Sequence, residues 1–118
     1  MNYELKYDPT RDLIICQTSG VLNIVVVDKI ITELHEMTKL CNCKKILNDL
    51  RMLDNISSVF DIYDIRKIVH HANLPSDCKL AFVVTQLTEN YRFFETELVN
   101  SGQNIKIFTD LETAIAWL

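Results

Sequence analysis

The sequence is poor in glycine, and this scarcity excludes the nucleotide-binding motifs that depend on glycine-rich loops. Its 118 residues contain two glycines, Gly20 and Gly102, which lie far apart in the chain. Neither a P-loop nor a dinucleotide-binding fingerprint can be written with them, because each needs several glycines within one short loop. We therefore predict no bound cofactor.

Clusters of positive charge are missing as well. The twelve Lys and Arg residues are scattered along a chain of net charge −4 and pI near 5.3. Such a chain has no basic stripe with which to follow a phosphate backbone. Nucleic acid is therefore not predicted as a partner.

Long apolar runs are also absent. No stretch approaches the ~18 apolar residues of a membrane span, and the opening MNYELKYDPTRD lacks the apolar core of a signal peptide. We expect a cytoplasmic protein. In that reducing compartment the four cysteines, Cys16, Cys41, Cys43 and Cys78, are expected to be free thiols.

Two short motifs raise the question of metal or redox chemistry. Cys41 and Cys43 are separated by one residue, but a tetrahedral zinc site needs two further ligands. The adjacent His70 and His71 would point about 100° apart on a helix and could not easily face one metal. At a helix end they are better explained as partners of the helix dipole. We predict neither a metal site nor a catalytic group, since no nucleophile, base and orienting residue occur together.

Apolar spacing predicts an alternation of strands and helices. The order is β-β-α-β-α-β-α-β-α, with strands at 3–7, 13–20, 44–50, 79–85 and 105–108, and helices at 23–41, 58–74, 89–100 and 110–118. A turn over residues 8–12 joins the first two strands, and Gly20 is predicted to end the second. We predict an α/β fold with a mostly parallel sheet and one antiparallel edge strand, in a single domain over 1–118.

Polar residues at the predicted helix starts indicate caps. Asn23 precedes the first helix, Ser58 has capping-box spacing to Asp61, and the run Thr109 to Glu112 has the same spacing before the last helix.

The order of elements and four motifs resemble the STAS superfamily, specifically its SpoIIAA-like branch of small bacterial proteins. The motifs are SGVL before the first helix, ILNDLR as the third strand with its loop, LAFVV as the fourth strand, and the C-terminal IKIFTDLETAIAWL. The resemblance covers essentially the whole chain. It implies a SpoIIAA-like fold, and either an anti-sigma-factor antagonist switched by serine phosphorylation or a module that binds a lipid or another apolar ligand.

The serine that such regulators phosphorylate lies at the start of the helix after the third strand, in a stretch resembling Asp-Ser-Ser-Gly. Here Ser57 and Ser58 occupy that place, with Val59 where the pattern has glycine. Both serines are candidate phosphosites. The alternative is that Ser58 only caps the helix, which stabilises it by ~1 kcal/mol without any regulation.

The predicted third helix presents Tyr91, Phe94 and Leu98 on one face, which we expect to pack on the sheet. Phe93 falls nearly opposite, where it is covered by a neighbouring helix, shared with a partner or part of a ligand pocket. The candidate ligand or partner contacts are Arg51, Phe60, Tyr63, Arg92 and Phe93.

Two functions remain open. The first is a non-enzymatic module that binds a protein partner or an apolar ligand, with peripheral membrane association and a homodimer as further alternatives. The second is a phosphorylation-controlled anti-sigma-factor antagonist that uses Ser57 or Ser58.

Overall fold

A five-stranded sheet organises the chain. The computed structural model describes residues 1–54, 67, 68, 70, 71 and 74–118. The elements in this part of the chain follow in the order β1 (Asn2–Asp8), β2 (Leu13–Val21), α1 (Ile24–Leu40), β3 (Lys45–Asp54), β4 (Lys79–Val83), α2 (Glu89–Asn100), β5 (Asn104–Phe108) and α3 (Leu111–Trp117). Lys67, Ile68, His70 and His71, which belong to the helix predicted over 58–74, are helical.

The strands lie in the sheet in their order along the chain. β1 pairs antiparallel with β2, and β2, β3, β4 and β5 pair parallel with one another. The predicted α/β class, with a parallel sheet and an antiparallel edge strand, is therefore confirmed.

The turn between β1 and β2 forms as the sequence predicts. The Asp8 carboxylate accepts hydrogen bonds from the backbone amides of Thr10 and Arg11, at 3.0 and 3.3 Å. Asp12 then takes a left-handed φ of 53°, which closes the turn onto β2. Such an Asx turn fixes the register of the hairpin through a local side-chain contact.

β2 and β3 continue past the residues at which the sequence predicts them to end. β2 continues past Gly20, which has φ 88° and pairs with Leu53, and ends at Val21. β3 includes residues 51–54, which we expected in a loop, because its second half pairs with the end of β2 after an irregularity between Gln17 and Ser19. Arg51 therefore lies on a strand.

The helix caps confirm one prediction and correct another. The Asn23 side chain accepts from the amides of Val25 and Val26, as predicted. The last helix is capped by Asp110 rather than by Thr109: the Asp110 carboxylate accepts from the Thr113 amide at 2.9 Å and from the Thr113 hydroxyl at 2.6 Å. A carboxylate is favoured there because it also meets the positive end of the helix dipole.

Side-chain alternation gives the sheet two different faces. The first face lies under α1, α2 and the helical residue Ile68, and its buried residues are Ile14, Cys16, Ile46, Leu80 and Ile105. The second face packs against α3, and its buried residues are Leu13, Ile15, Leu47, Ala81, Val83 and Phe108. The core is thus divided by the sheet into two layers.

Candidate functional site

An apolar cavity of about 110 Å³ lies between the first face of the sheet and the helices above it. Its floor is formed by Cys16, Thr18, Asn48, Leu50, Leu53, Leu80, Phe82 and Ile107. Its roof includes Val27, Ile30, Ile31, Leu34 and His35 of α1, Ile68 and Leu74, and Tyr91, Phe94 and Leu98 of α2. Met1 and Leu22 complete the described lining.

The lining is almost wholly apolar because the elements around it present their apolar stripes to one another. In α1, Val27, Ile31 and His35 follow one another at four-residue spacing along one stripe of the helix. In α2 the predicted face of Tyr91, Phe94 and Leu98 is buried, and the rings of Phe94 and Phe82 lie 5.5 Å apart. A void between such surfaces excludes charge and favours an apolar occupant.

Four of the described lining residues carry polar side chains: Thr18, His35, Asn48 and Tyr91. The Thr18 hydroxyl donates to the Asp49 carbonyl across the strands, at 3.5 Å. Burial raises the pKa of Tyr91 to about 12, so its hydroxyl stays protonated at neutral pH. Burial also lowers the pKa of His35, with a smaller contribution from Lys39, and this favours the neutral imidazole.

Comparison with solved structures shows where this architecture recurs. No protein-family model matches the sequence, and no curated protein matches it significantly. An anti-sigma factor antagonist from Mycobacterium paratuberculosis superposes with a TM-score of 0.64 at 12% identity, over 98% of this chain and 93% of that one. The unphosphorylated form of the anti-sigma factor antagonist SpoIIAA gives 0.59 at 13%, over 98% and 96%.

An uncharacterized protein from Shewanella loihica, described as having a SpoIIAA-like fold, gives a TM-score of 0.59 at 19% identity, over 98% of this chain and 93% of that one. The chain has a SpoIIAA-like fold. The resemblance drawn from the four sequence motifs is thereby confirmed at the level of the fold.

Within the SpoIIAA-like fold, the predicted site residues lie in different places. Ser57, Ser58, Phe60 and Tyr63 fall outside the described residues. Arg51 lies on the second face, away from the cavity.

The Arg51 side chain is held by a neighbour on its own strand. Its Nε and Nη2 donate to the two carboxylate oxygens of Asp49, at 2.9 and 2.8 Å, and its backbone amide donates to Oδ1 at 3.1 Å. These hydrogen bonds hold the pKa of Asp49 below its usual range. The pair is more exposed on the Arg51 side than on the Asp49 side.

Phe93 and Arg92 do not join the described lining of the cavity. Phe93 is half-buried against the core of the first face, and Arg92 is exposed. Glu95, one turn further on, accepts a 2.7 Å hydrogen bond from the Ile107 amide of β5 and so ties α2 to the sheet edge.

The cysteines are all free thiols, as predicted. Burial raises the pKa of Cys16 to about 12, and burial also raises the pKa of Cys43 and Cys78. Within the described ranges, no cluster of three or more His, Cys, Asp or Glu residues is placed to hold a metal ion. In the same part of the chain, no helix has the length and apolarity to cross a membrane.

Sequence reasoning missed two of the polar residues in the described lining of the cavity, His35 and Asn48. Each leaves a signal in the sequence. Asn48 interrupts the apolar strand ILNDL on the same side as Ile46 and Leu50, and His35 continues the apolar stripe of Val27 and Ile31. A polar residue at such a position marks either a buried hydrogen bond or a binding site.

Proposed function

We propose that the chain is a non-catalytic binding module that holds a small apolar ligand in the cavity between the sheet, α1 and α2. The observation that carries the proposal is the 110 Å³ void with its nearly uniform apolar lining. Protein interiors are close-packed, and a void larger than a water molecule lowers stability unless something fills it. A ligand would restore those contacts.

Thermal unfolding with toluene as the probe tests this proposal. Toluene in excess should raise the melting temperature of the wild-type protein, because a ligand that binds only the folded state stabilises it by mass action. Native mass spectrometry of the purified protein should in addition recover a small apolar molecule.

Two valine-to-phenylalanine variants on α1 supply the matched comparison. Val27 lines the cavity, whereas Val25, two residues earlier, is 78% exposed. Val27→Phe should fill the void and abolish the toluene response, and Val25→Phe should retain it. An equal response in both variants would place the toluene elsewhere, and no response of the wild type either to toluene or to a neutral polar compound of the same size would refute the proposal.

A second candidate function is that of a phosphorylation-controlled anti-sigma-factor antagonist, acting through Ser57 or Ser58. It is supported by the SpoIIAA-like fold and by two structural neighbours that are themselves anti-sigma factor antagonists. Two exposed apolar residues, Val21 and Met52, also lie near the carboxyl ends of β2 and β3, the end of the strands from which the chain continues toward the serines.

Intact mass after incubation with ATP and cell extract tests the second candidate. A species heavier by one phosphate should appear in the wild type and disappear in the Ser57→Ala, Ser58→Ala double variant. Absence of that species in extracts from every growth phase would exclude the switch.

A further inference from the structure

Two unpaired polar atoms distinguish this cavity from an ordinary packing defect. Among the described residues, four buried side-chain atoms have no hydrogen-bond partner: Asp28 Oδ1, His35 Nε2, Asn48 Nδ2 and Gln103 Oε1. His35 and Asn48 are also lining residues of the cavity. An orphaned buried polar atom weakens folding by roughly tenfold or more in the equilibrium constant, so two of them at one void require an explanation.

Asn48 occupies the centre of the cavity floor. It lies on the middle strand of the sheet, beside Cys16 of β2 and Phe82 of β4, and its exposure is 5%. A leucine there would pack against the same neighbours without leaving an amide group unpaired. The Nδ2 group is a hydrogen-bond donor, and it therefore needs an acceptor in the space above the strand.

His35 contributes the second unpaired atom from the roof. Its Nε2 is buried, and its imidazole is favoured in the neutral form. In a neutral imidazole this nitrogen is a donor in one tautomer and an acceptor in the other. A hydroxyl group can satisfy either tautomer, because it accepts from Asn48 and can both donate to and accept from His35.

The charge of the lining restricts the ligand to a neutral molecule. The described lining residues include no Lys, Arg, Asp or Glu. A carboxylate or an ammonium group would lose its hydration there without meeting an oppositely charged side chain of the described lining, at a large cost.

The volume restricts the size of the ligand. A cavity of about 150 Å³ lined by leucine, isoleucine and phenylalanine binds benzene. The 110 Å³ available here fits one ring or an aliphatic group of similar bulk. A single water, with a share of liquid volume of about 30 Å³, would satisfy a polar atom but leave most of the void empty.

We propose that the cavity selects a small, neutral, one-ring or similarly sized apolar molecule that carries one hydroxyl group, bonded to Asn48 Nδ2 and His35 Nε2. This inference rests on the proposed apolar-ligand function and adds the polar group by which the ligand is recognised. Phenol is the simplest molecule with this chemistry, and toluene is its counterpart of the same size without a hydroxyl.

Calorimetric titration of the wild-type protein with phenol and with toluene tests the inference. Phenol should bind at least about tenfold more tightly, because toluene leaves both polar atoms unpaired. If neither compound binds, the proposed function itself fails. If toluene binds as tightly as phenol or more so, the cavity is an apolar site filled without hydroxyl recognition, and only the present inference is overturned.

Variants assign the preference to its residues. Asn48→Leu should reverse the preference in favour of toluene, and His35→Leu should reduce it, which keeps the test available if one variant fails to fold. Thr18→Val is the matched control: it removes a polar lining group that has a partner and should leave the phenol-to-toluene ratio unchanged. A ratio that survives both Asn48→Leu and His35→Leu would refute the assignment.

Discussion

The two faces of the sheet bury similar apolar residues in opposite ways. On the second face α3 lies close to the strands, with Ala81 and Ala114 completely buried and the rings of Phe108 and Trp117 5.8 Å apart. Lys79 adds a 2.9 Å hydrogen bond to the Trp117 carbonyl. On the first face the helices leave a void of about 110 Å³ and two unpaired polar atoms.

This difference indicates that the two faces of the sheet have different roles. Close packing and satisfied hydrogen bonds stabilise a fold, whereas voids and unpaired polar groups weaken it and occur where a site requires them. We infer that the second face contributes mainly stability and that the first face contributes the binding site. Like substitutions on the two faces test this inference.

The largest losses of stability are expected from truncating one buried leucine on each face of the sheet. Leu47 on the second face is 2% exposed, and Leu80 on the first face is 5% exposed. Each change to alanine should reduce the free energy of unfolding by about 2–5 kcal/mol, since it removes buried methyl groups and leaves a cavity. Denaturant unfolding measures this loss.

Ligand addition should then separate the two truncations. Leu80 lines the existing cavity, so its truncation enlarges that void, and an aromatic probe larger than toluene should recover part of the stability of Leu80→Ala. Leu47→Ala opens a space on the other side of the sheet and should show no such recovery. Equal recovery of stability in both variants would contradict the assignment of the binding site to the first face.

Enlarging a side chain should destabilise the second face of the sheet but not the first. Ala114 is fully buried in α3, and Ala114→Leu should cost about 1–3 kcal/mol because the closely packed second face has no room for it. Val27→Leu extends toward the cavity and should be neutral or stabilising. Chemical denaturation of the two variants provides the comparison, and a similar loss in both would show that the void cannot accept added volume.

Local chemistry explains which parts of the fold could be predicted from sequence. The Asp8 turn, the Asn23 cap and the buried face of α2 each depend on residues within a few positions of one another. Their spacing alone therefore identified them. The alternation of strands and helices then led to the parallel sheet, because few topologies connect such elements.

The features that escaped prediction depend on partners distant in the chain. β3 extends to Asp54 because its exposed end pairs with β2, and no apolar alternation marks that end. Threonine and aspartate are both common cap residues, and the capping-box spacing of Thr109 to Glu112 did not identify Asp110 as the residue that caps α3. The cavity joins His35 and Asn48 from different elements, and the packing between those elements is not encoded in either segment alone.

A smaller effect is expected from the ion pair on the second face. Arg51→Met keeps most of the apolar stem but removes two hydrogen bonds from the nearly buried Asp49 carboxylate. The loss should be about 1–2 kcal/mol at neutral pH, reduced from a fully buried pair because Arg51 is partly exposed. Arg11→Met, which breaks the more exposed pair with Asp8, should cost less.

The same pair should affect acid stability. Arg51 lowers the pKa of Asp49, so the stabilisation it provides is complete above the ordinary value of 3.8 and is lost as the pH falls through the lower folded-state pKa. In Arg51→Met the folded-state pKa of Asp49 should rise, so the variant should lose less stability in acid than the wild type, and the two free energies of unfolding should converge as the pH falls. The free energy of unfolding of each protein is divided by its value at neutral pH and plotted against pH. Identical plots for the wild type and Arg51→Met would contradict this role.

The smallest effect concerns His35 above the cavity. Burial lowers its pKa below the ordinary value of 6.5, so the unfolded chain takes up a proton before the folded one does. The neutral residue is therefore fully accommodated above pH 6.5, and the protein should lose stability as the pH falls from that value toward the folded-state pKa. His35→Gln should flatten this slope, which a series of unfolding midpoints between about pH 7.5 and about pH 5 would measure.

The exposed pair His70 and His71 provides the control for that series. Replacing both with glutamine removes the chain's two other imidazoles but leaves His35 in place, so the slope should persist. Loss of the slope in this variant would contradict its assignment to His35. Saturating phenol should in turn lower the pH at which the loss begins, because a hydroxyl group that donates to the unprotonated Nε2 of His35 stabilises the neutral imidazole over the imidazolium. Such a shift would connect the protonation of His35 with binding in the cavity. A change of stability on the second face would not alter the pH at which His35 is protonated.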